Sequence, residues 1–166
     1  MSRPNFSDSF GGTYVLIEPG IFLMGDLVGD GLEREKPVHE VEISRPFFIG
    51  ERPVTQAHWS SVMGENPSKF TDGWSSGLQP VERISWNDAM NFVDKLNQLY
   101  GDEVHLGLTG IWRLPTESEW EFVARSGTQS KWFFGNRDSE LGDYGWHAGN
   151  SGASTKVVGQ KKATPW

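Results

Sequence analysis

Three glutamates, Glu117, Glu119 and Glu121, occupy alternate positions in the stretch WRLPTESEWEFVARSGT from Trp112 to Thr128. Carboxylates this dense suit acid–base catalysis or metal ligation, but Thr116 and Glu119 also stand at the spacing of a capping box. There a hydroxyl accepts from the third helical amide and a carboxylate reaches back to the cap. Capping with a solvated face is the favoured reading. The four histidines, His39, His58, His105 and His147, include no pair at helical metal-binding spacing and no HExxH, so no transition-metal site has local support. Asp26, Asp30, Glu33 and Glu35 lack the fixed spacing of an EF-hand and read as a solvated acidic loop. Asn136, Asp138, Asp143 and Asn150 place oxygen donors in a glycine-rich region, a setting calcium uses in irregular folds. GxSxG, P-loop and GxGxxG motifs are absent, which removes the commonest hydrolase and nucleotide-binding readings.

These residues need elements to hold them. Pro115 ends the preceding segment, Thr116 opens a helix with Trp120, Val123 and Ala124 as its buried stripe, and Gly127 stops it. Thr55, with Val54 as the preceding staple residue, opens a helix that runs to about Met63, buries Trp59 and Val62, and ends at Gly64. Ser85 and Asp88 open the longest helix, whose inner face carries Trp86, Ala89, Val93, Leu96 and Tyr100, with Gly101 at its close. Strands are expected at Tyr14–Glu18 and Ile21–Met24, as a hairpin or kinked pair about Pro19 and Gly20. Others are expected at His39–Ile43, Phe47–Ile49, Trp132–Phe134 and Lys156–Val158. Between Gly64 and Glu82 runs a long loop with Phe70 and Trp74 as its anchors, and Gly135–Gly152 is a second. Helices enclosed between groups of short strands predict an α+β domain rather than a doubly wound sheet.

A length of 166 residues predicts one domain, with residues 1–12 as a flexible N-terminal arm and 13–166 as the folded part. Hydrophobic content is only 36%, so eight Trp and ten Phe must carry much of the core. A net charge of −7 without a basic cluster argues against a nucleic-acid partner. The absence of cysteine removes disulfides, thiolate metal sites and thiol nucleophiles from these residues, and it fits a reducing compartment. No segment has the apolar length of a leader or a membrane span, so a cytoplasmic protein without a membrane partner is expected.

Several segments together resemble the formylglycine-generating enzyme family, the sulfatase-modifying-factor domain. They are FLMGD (Phe22–Asp26), EREKPVHEVEI (Glu33–Ile43), PVTQAHWSSVMGENPSKF (Pro53–Phe70), PVERISWNDAMNFVDKLN (Pro80–Asn97), WRLPTESEWEFVARSGT and TKVVGQKKATPW (Thr155–Trp166). The resemblance implies an irregular C-type-lectin-like fold. It also implies a choice of roles, because the family holds copper- and oxygen-dependent oxidases that convert a sulfatase cysteine to formylglycine, iron-dependent sulfoxide synthases, ligand-displaying variable proteins and noncatalytic relatives. The oxidases hold copper with two cysteines, and this sequence has none. The family pattern also continues past Trp166 into a GNVWEW-type block.

The expectation is therefore an incomplete, noncatalytic domain acting in protein or ligand binding or assembly, with no catalytic or cofactor-binding residue assigned. Its alternative is the N-terminal portion of a formylglycine-generating oxidase. A protein or peptide partner, self-association or completion by another chain would follow, with apolar surface or unpaired strand edges left on the domain. Calcium is the one cofactor the resemblance implies, held by the side-chain oxygen of Asn150 and the backbone carbonyl of Ser151.

Overall fold

The computed structural model describes residues 3–166. Five short strands form two sheets. In the first, β2 (Thr13–Ile17) lies between β1 (Asn5–Ser7) and β5 (Phe47–Gly50), all antiparallel; in the second, β3 (Gly20–Met24) pairs with β4 (His39–Ile43). Three helices follow, α1 (Gln56–Met63), α2 (Trp86–Tyr100) and α3 (Glu117–Arg125), with one further turn of helix, α4 (Leu141–Tyr144). The domain is α+β, and its longer connections carry isolated bridges, short 3-10 turns and the single turn of α4.

The helix ends follow the sequence closely, except that the left-handed cap of α3 is Ser126, at φ 48°, rather than Gly127. Thr55 accepts from the amide of His58, and Gly64 closes α1 at φ 86°, a left-handed conformation that glycine adopts without a Cβ penalty. Ser85 with Asp88 and Thr116 with Glu119 form complete capping boxes. Replacing Thr116 with Ala should cost about 1 kcal/mol, read as a lower urea midpoint at unchanged slope.

Two apolar clusters meet between these elements. Trp59 and Val62 of α1 pack on Phe92 and Leu96 of α2, with the Trp59 and Phe92 rings parallel at 5.0 Å. Ile17, Ile43 and Phe122 form the second cluster, where the Trp166 ring meets Phe122 edge-on at 4.9 Å. The Phe122 ring lies so close to β3 that a Cβ on Gly20 would sit 2.9 Å from it.

Several expectations are corrected. The stretch 3–12, expected as a loose arm, contains β1, because Asn5–Ser7 finds ladder partners in Thr13–Val15; Met1 and Ser2 lie outside the described residues. β2 and β3 are not a hairpin. The turn between them carries the chain from one sheet to the other, so that β2 pairs with β1 and β5 while β3 pairs with β4. On α3 the buried aromatic is Phe122, and Trp120 is 61% exposed. Val123 packs inward as expected, but the rest of the inward face is Ser118, Phe122 and Arg125, with Ser118 donating to Met24 Sδ and Arg125 to the Gly25 carbonyl, so its mixed polarity hides it from an apolar count. Trp86 sits in the first turn of α2 and is exposed; the inner face turns on Phe92 as well as Val93 and Leu96. Trp74 is 98% exposed and anchors nothing. Trp132–Phe134 forms a tight turn closed by bonds between Trp132 and Gly135, and 156–158 contributes one bond from Val158 N to Leu78 O rather than a strand.

Candidate functional site

The three glutamates of α3 do not converge. Glu117 is exposed, and the other two hold backbone. Arg113 grips Glu119 in a bidentate pair at 2.6 and 2.5 Å, while the same carboxylate accepts from Thr116 N at 2.8 Å. The Arg113 guanidinium keeps that carboxyl below its ordinary range, as charge-assisted bonds to the ionised form do. Glu121 Oε1 accepts from Gly25 N at 2.9 Å and from Arg125 Nε at 2.8 Å, and Arg125 Nη2 returns to Gly25 O at 2.6 Å. This closed circuit staples α3 to the end of β3.

A second polar centre, which no sequence argument singled out, gathers on Asp8. Its Oδ1 accepts from Phe10 N and Gly12 N, both at 2.8 Å, and its Oδ2 from the Tyr14 hydroxyl at 2.9 Å, with His58 Nε2 at 3.1 Å. His58 and Asp8 side chains are 4% and 2% exposed, and the imidazole meets the carboxylate at ion-pair distance but off the hydrogen-bond direction. Burial pushes the His58 pKa below its ordinary 6.5 against the opposing pull of Asp8, and burial together with the Asp8 charge pushes that of Tyr14 up. The signal was the run SDSFGG, an aspartate followed by glycine amides within reach of its side chain.

Because His58 is held neutral, its contribution to stability is present above pH 6.5 and drains away as pH falls below that value towards the folded pKa. Melting curves between pH 7.5 and 5 should show a fall in Tm that His58→Gln flattens.

The long loop after α1 is fixed in the same manner. Gln56, 1% exposed, donates to Phe70 O and accepts from Asn66 Nδ2, both at 3.0 Å. Glu82 Oε1 accepts from the amides of Lys69 and Phe70. In the acidic loop, Asp26 accepts from the amides of Val28, Gly29 and Gly31, and the bond from Gly29 leads in lowering its pKa. Asp30 and Asp138 share Lys131 at 2.7 and 3.1 Å.

At the place where the resemblance implies calcium, Asn150 Oδ1 accepts from His147 N at 2.8 Å, Asn150 Nδ2 donates to Gly145 O at 3.0 Å, and the Ser151 carbonyl accepts from Ser154 Oγ at 3.4 Å. Asp143, the nearest carboxylate in sequence, pairs with Lys162 at 2.8 Å. A calcium cradle takes six to eight oxygens, supplied by carboxylates, backbone and amide carbonyls and waters. Oxygens already bonded to amide and hydroxyl donors, beside a paired aspartate, do not fit one. Calcium against chelator should therefore shift the melting temperature by less than about 1 °C, whereas a site filled at a hundred times its Kd would add about 2.7 kcal/mol. Among the described residues no group of three or more His, Asp or Glu side chains is placed to hold a metal.

Of the remaining histidines, His39 bonds through Nδ1 to Pro37 O, and His147 accepts from Gly149 N. His105 stacks on Phe6 with ring centres 3.6 Å apart and lines a groove of about 380 Å3 between β5 and the segment 103–115. Phe6, Tyr14, Phe48 and Trp112 also line it. Among the described residues no helix is long and apolar enough to cross a membrane.

Comparison with known proteins places this arrangement. The profile of the "Sulfatase-modifying factor enzyme 1-like domain" matches residues 6–166. The chain is 31% identical over 159 residues to "Chaperone protein LppX" of Paenibacillus barcinonensis, covering 70% of this chain and 55% of that protein. It is 28% identical over 108 residues to "Formylglycine-generating enzyme" of Mus musculus, covering 64% of this chain and 23% of that protein. To "Inactive C-alpha-formylglycine-generating enzyme 2" of the same organism it is 28% identical over 169 residues, covering 71% and 49%. The solved structure of "Treponema denticola variable protein 1" superposes with a TM-score of 0.81 at 31% identity, covering 97% of this chain and 70% of the other. The chain thus spans about half the length, or less, of these three curated relatives.

Proposed function

The chain belongs to the sulfatase-modifying factor enzyme 1-like family, matched over residues 6–166, and on that footing we propose that these residues form a noncatalytic scaffold acting in protein or ligand binding or in assembly. One observation carries the reading: three carboxylates of the family-like segments, Glu82, Glu119 and Glu121, are engaged in holding backbone. Glu119 and Glu121 close circuits with arginines and backbone amides, and Glu82 pins the loop after α1. Asp8, ahead of those segments, is engaged in the same way with two amides and a hydroxyl. None is left as a nucleophile or base aimed into the groove. A copper site built on two thiolates has no ligands here, since the sequence holds no cysteine.

Family membership alone supports neither activity nor its lack, because the relatives include proteins named as generating formylglycine and as inactive. The C-type-lectin-like scaffold, a cytoplasmic setting and a protein or peptide partner belong to this proposal. The second reading, the N-terminal portion of a formylglycine-generating oxidase, draws on the partial coverage of the enzyme relative. The protein incubated with a CxPxR sulfatase peptide, copper and oxygen should form no aldehyde above the protein-free blank; repeated turnover would overturn the scaffold reading.

A further inference from the structure

We propose that the aromatic groove between β5 and the segment 103–115 binds a small planar organic cation, an aromatic ring carrying an amidinium or a protonated ring nitrogen. This rests on the ligand-binding reading above and gives it a site and a chemical class. The groove lies on one face of the three-stranded sheet. Phe6 pairs with Tyr14 and Tyr14 with Gly50, so these positions and Phe48, two residues from Gly50, share that face. Gly50 leaves the floor open next to Tyr14 and Phe48, since a Cβ there would meet only Arg52 O, at 3.3 Å. The segment 103–115 forms the other wall, with Trp112 edge-on to Tyr14 at 4.8 Å. About 380 Å3 remains between the walls, a volume suited to a small molecule.

The walls favour a flat ring. Every aromatic ring beside Phe48 or Trp112 stands at 54° to 87° to it, so neither carries a parallel partner. Among the described residues no lysine or arginine lies over either ring. Such faces attract cations through the ring quadrupole. The charges of the lining favour the same sign. Arg113 and Glu119 neutralise each other in their bidentate pair, which leaves Glu103 as the uncompensated charge among the Asp, Glu, Lys and Arg residues of the groove. Its carboxylate is 51% exposed, and among the described residues its ion-pair neighbour is His105 Nε2 at 3.3 Å, with no lysine or arginine in reach. The backbone adds acceptors. Glu51 N donates to Thr13 O, and the pairing continues through Ile49 and Phe47, so the N–H and C=O groups of Phe48 and Gly50 point away from β2 and meet no partner among the described residues. Because this backbone offers donors as well as acceptors, Glu103 decides the sign of the ligand. An anion would meet like charge there, and a bulky alkylammonium would lack the flat face.

Benzamidine, titrated at pH 7.5 into the isotope-labelled protein and followed by NMR, tests this, with benzoate and cyclohexylamine as the controls for charge and flatness. Benzamidine should bind with a Kd of about 1 mM or below and shift the Gly50 amide and the Trp112 indole N–H. Benzoate should bind at least about tenfold more weakly, because it meets Glu103 with like charge, and cyclohexylamine at least about threefold more weakly. Gly50→Val, which puts a branched side chain on the groove floor, should abolish the shifts. Glu103→Gln should weaken binding about threefold to fivefold, while Trp74→Ser, outside the groove, leaves it unchanged. If Gly50→Val fails to fold, Glu103→Gln decides alone. The proposal is overturned if benzamidine does not bind, if either control binds as well as benzamidine, if the shifts fall outside the groove, or if a folded groove variant binds normally. Each of those outcomes leaves the scaffold reading standing through protein binding or assembly, whereas aldehyde formation in the peptide assay would remove the scaffold reading itself.

Discussion

Asp8→Ala should destabilise the domain by about 4 kcal/mol, because each buried donor left without its acceptor costs about 1–3 kcal/mol. The carboxylate is 2% exposed and gathers two amides, one hydroxyl and the neighbouring imidazole, so alanine strands several buried donors at once. Asp8→Asn keeps an acceptor for the amides of Phe10 and Gly12, and the Tyr14 hydroxyl can turn to accept from the new amide. It should cost about 1–2 kcal/mol. Urea denaturation of the three proteins at pH 7.5 gives the comparison. Equal losses for the two variants would mean that the charge, rather than the geometry of acceptors, holds β1 against β2 and α1.

Trp59→Ala should cost about 4 kcal/mol, as large-to-small substitutions of buried aromatic residues do when the surroundings cannot close on the cavity. Trp59 is 4% exposed, stacks on Phe92 at 5.0 Å, and with Val62 joins α1 to α2. Phenylalanine at the same position retains the stacked face and should recover more than half of the loss. The Asp8 and Trp59 changes should not add. His58 lies between them, beside Asp8 on one side and edge-on to Phe92 at 5.4 Å on the other, so the double variant should depart from additivity by at least about 0.5 kcal/mol. Simple addition within error would show that the polar centre and the aromatic cluster are independent.

What could be read in the sequence was what short-range chemistry decides. Thr55, Ser85 and Thr116 announce their helices because a cap is a contact between residues three apart, and the structure makes each of those contacts. β4 and β5 were legible from local alternation and aromatic runs. The pairing of strands was not, because β2 and β3 are neighbours in sequence and belong to different sheets, a choice made by residues such as Phe47 and Val41 that lie far along the chain. Burial was misread where polarity and position disagree. Trp74 and Trp120 look like anchors and face water, while Gln56 and His58 look like surface and are buried.

The polar centres divide along the same line. The role of Glu119 as a cap was legible because its partner is three residues away. That of Glu121 was not, because Gly25 is 96 residues away, and the link between Glu82 and Phe70 crosses a loop of irregular backbone. Asp8 sat in a segment read as loose. Its ordering comes from β-ladder partners and from a helix that begins some fifty residues later, at a distance no periodicity can report.

Amide hydrogen exchange tests the central claim most directly, because it asks whether the carboxylates of Asp8, Glu82 and Glu121 hold backbone or stand free. The amides of Phe10, Gly12, Phe70 and Gly25 should exchange at least about a hundredfold more slowly than in an unstructured peptide, and each should lose protection when its own carboxylate is removed from an otherwise folded domain. Exchange at unprotected rates in the intact protein, or protection that survives loss of the carboxylate, would contradict it and return those side chains to the pool available for chemistry.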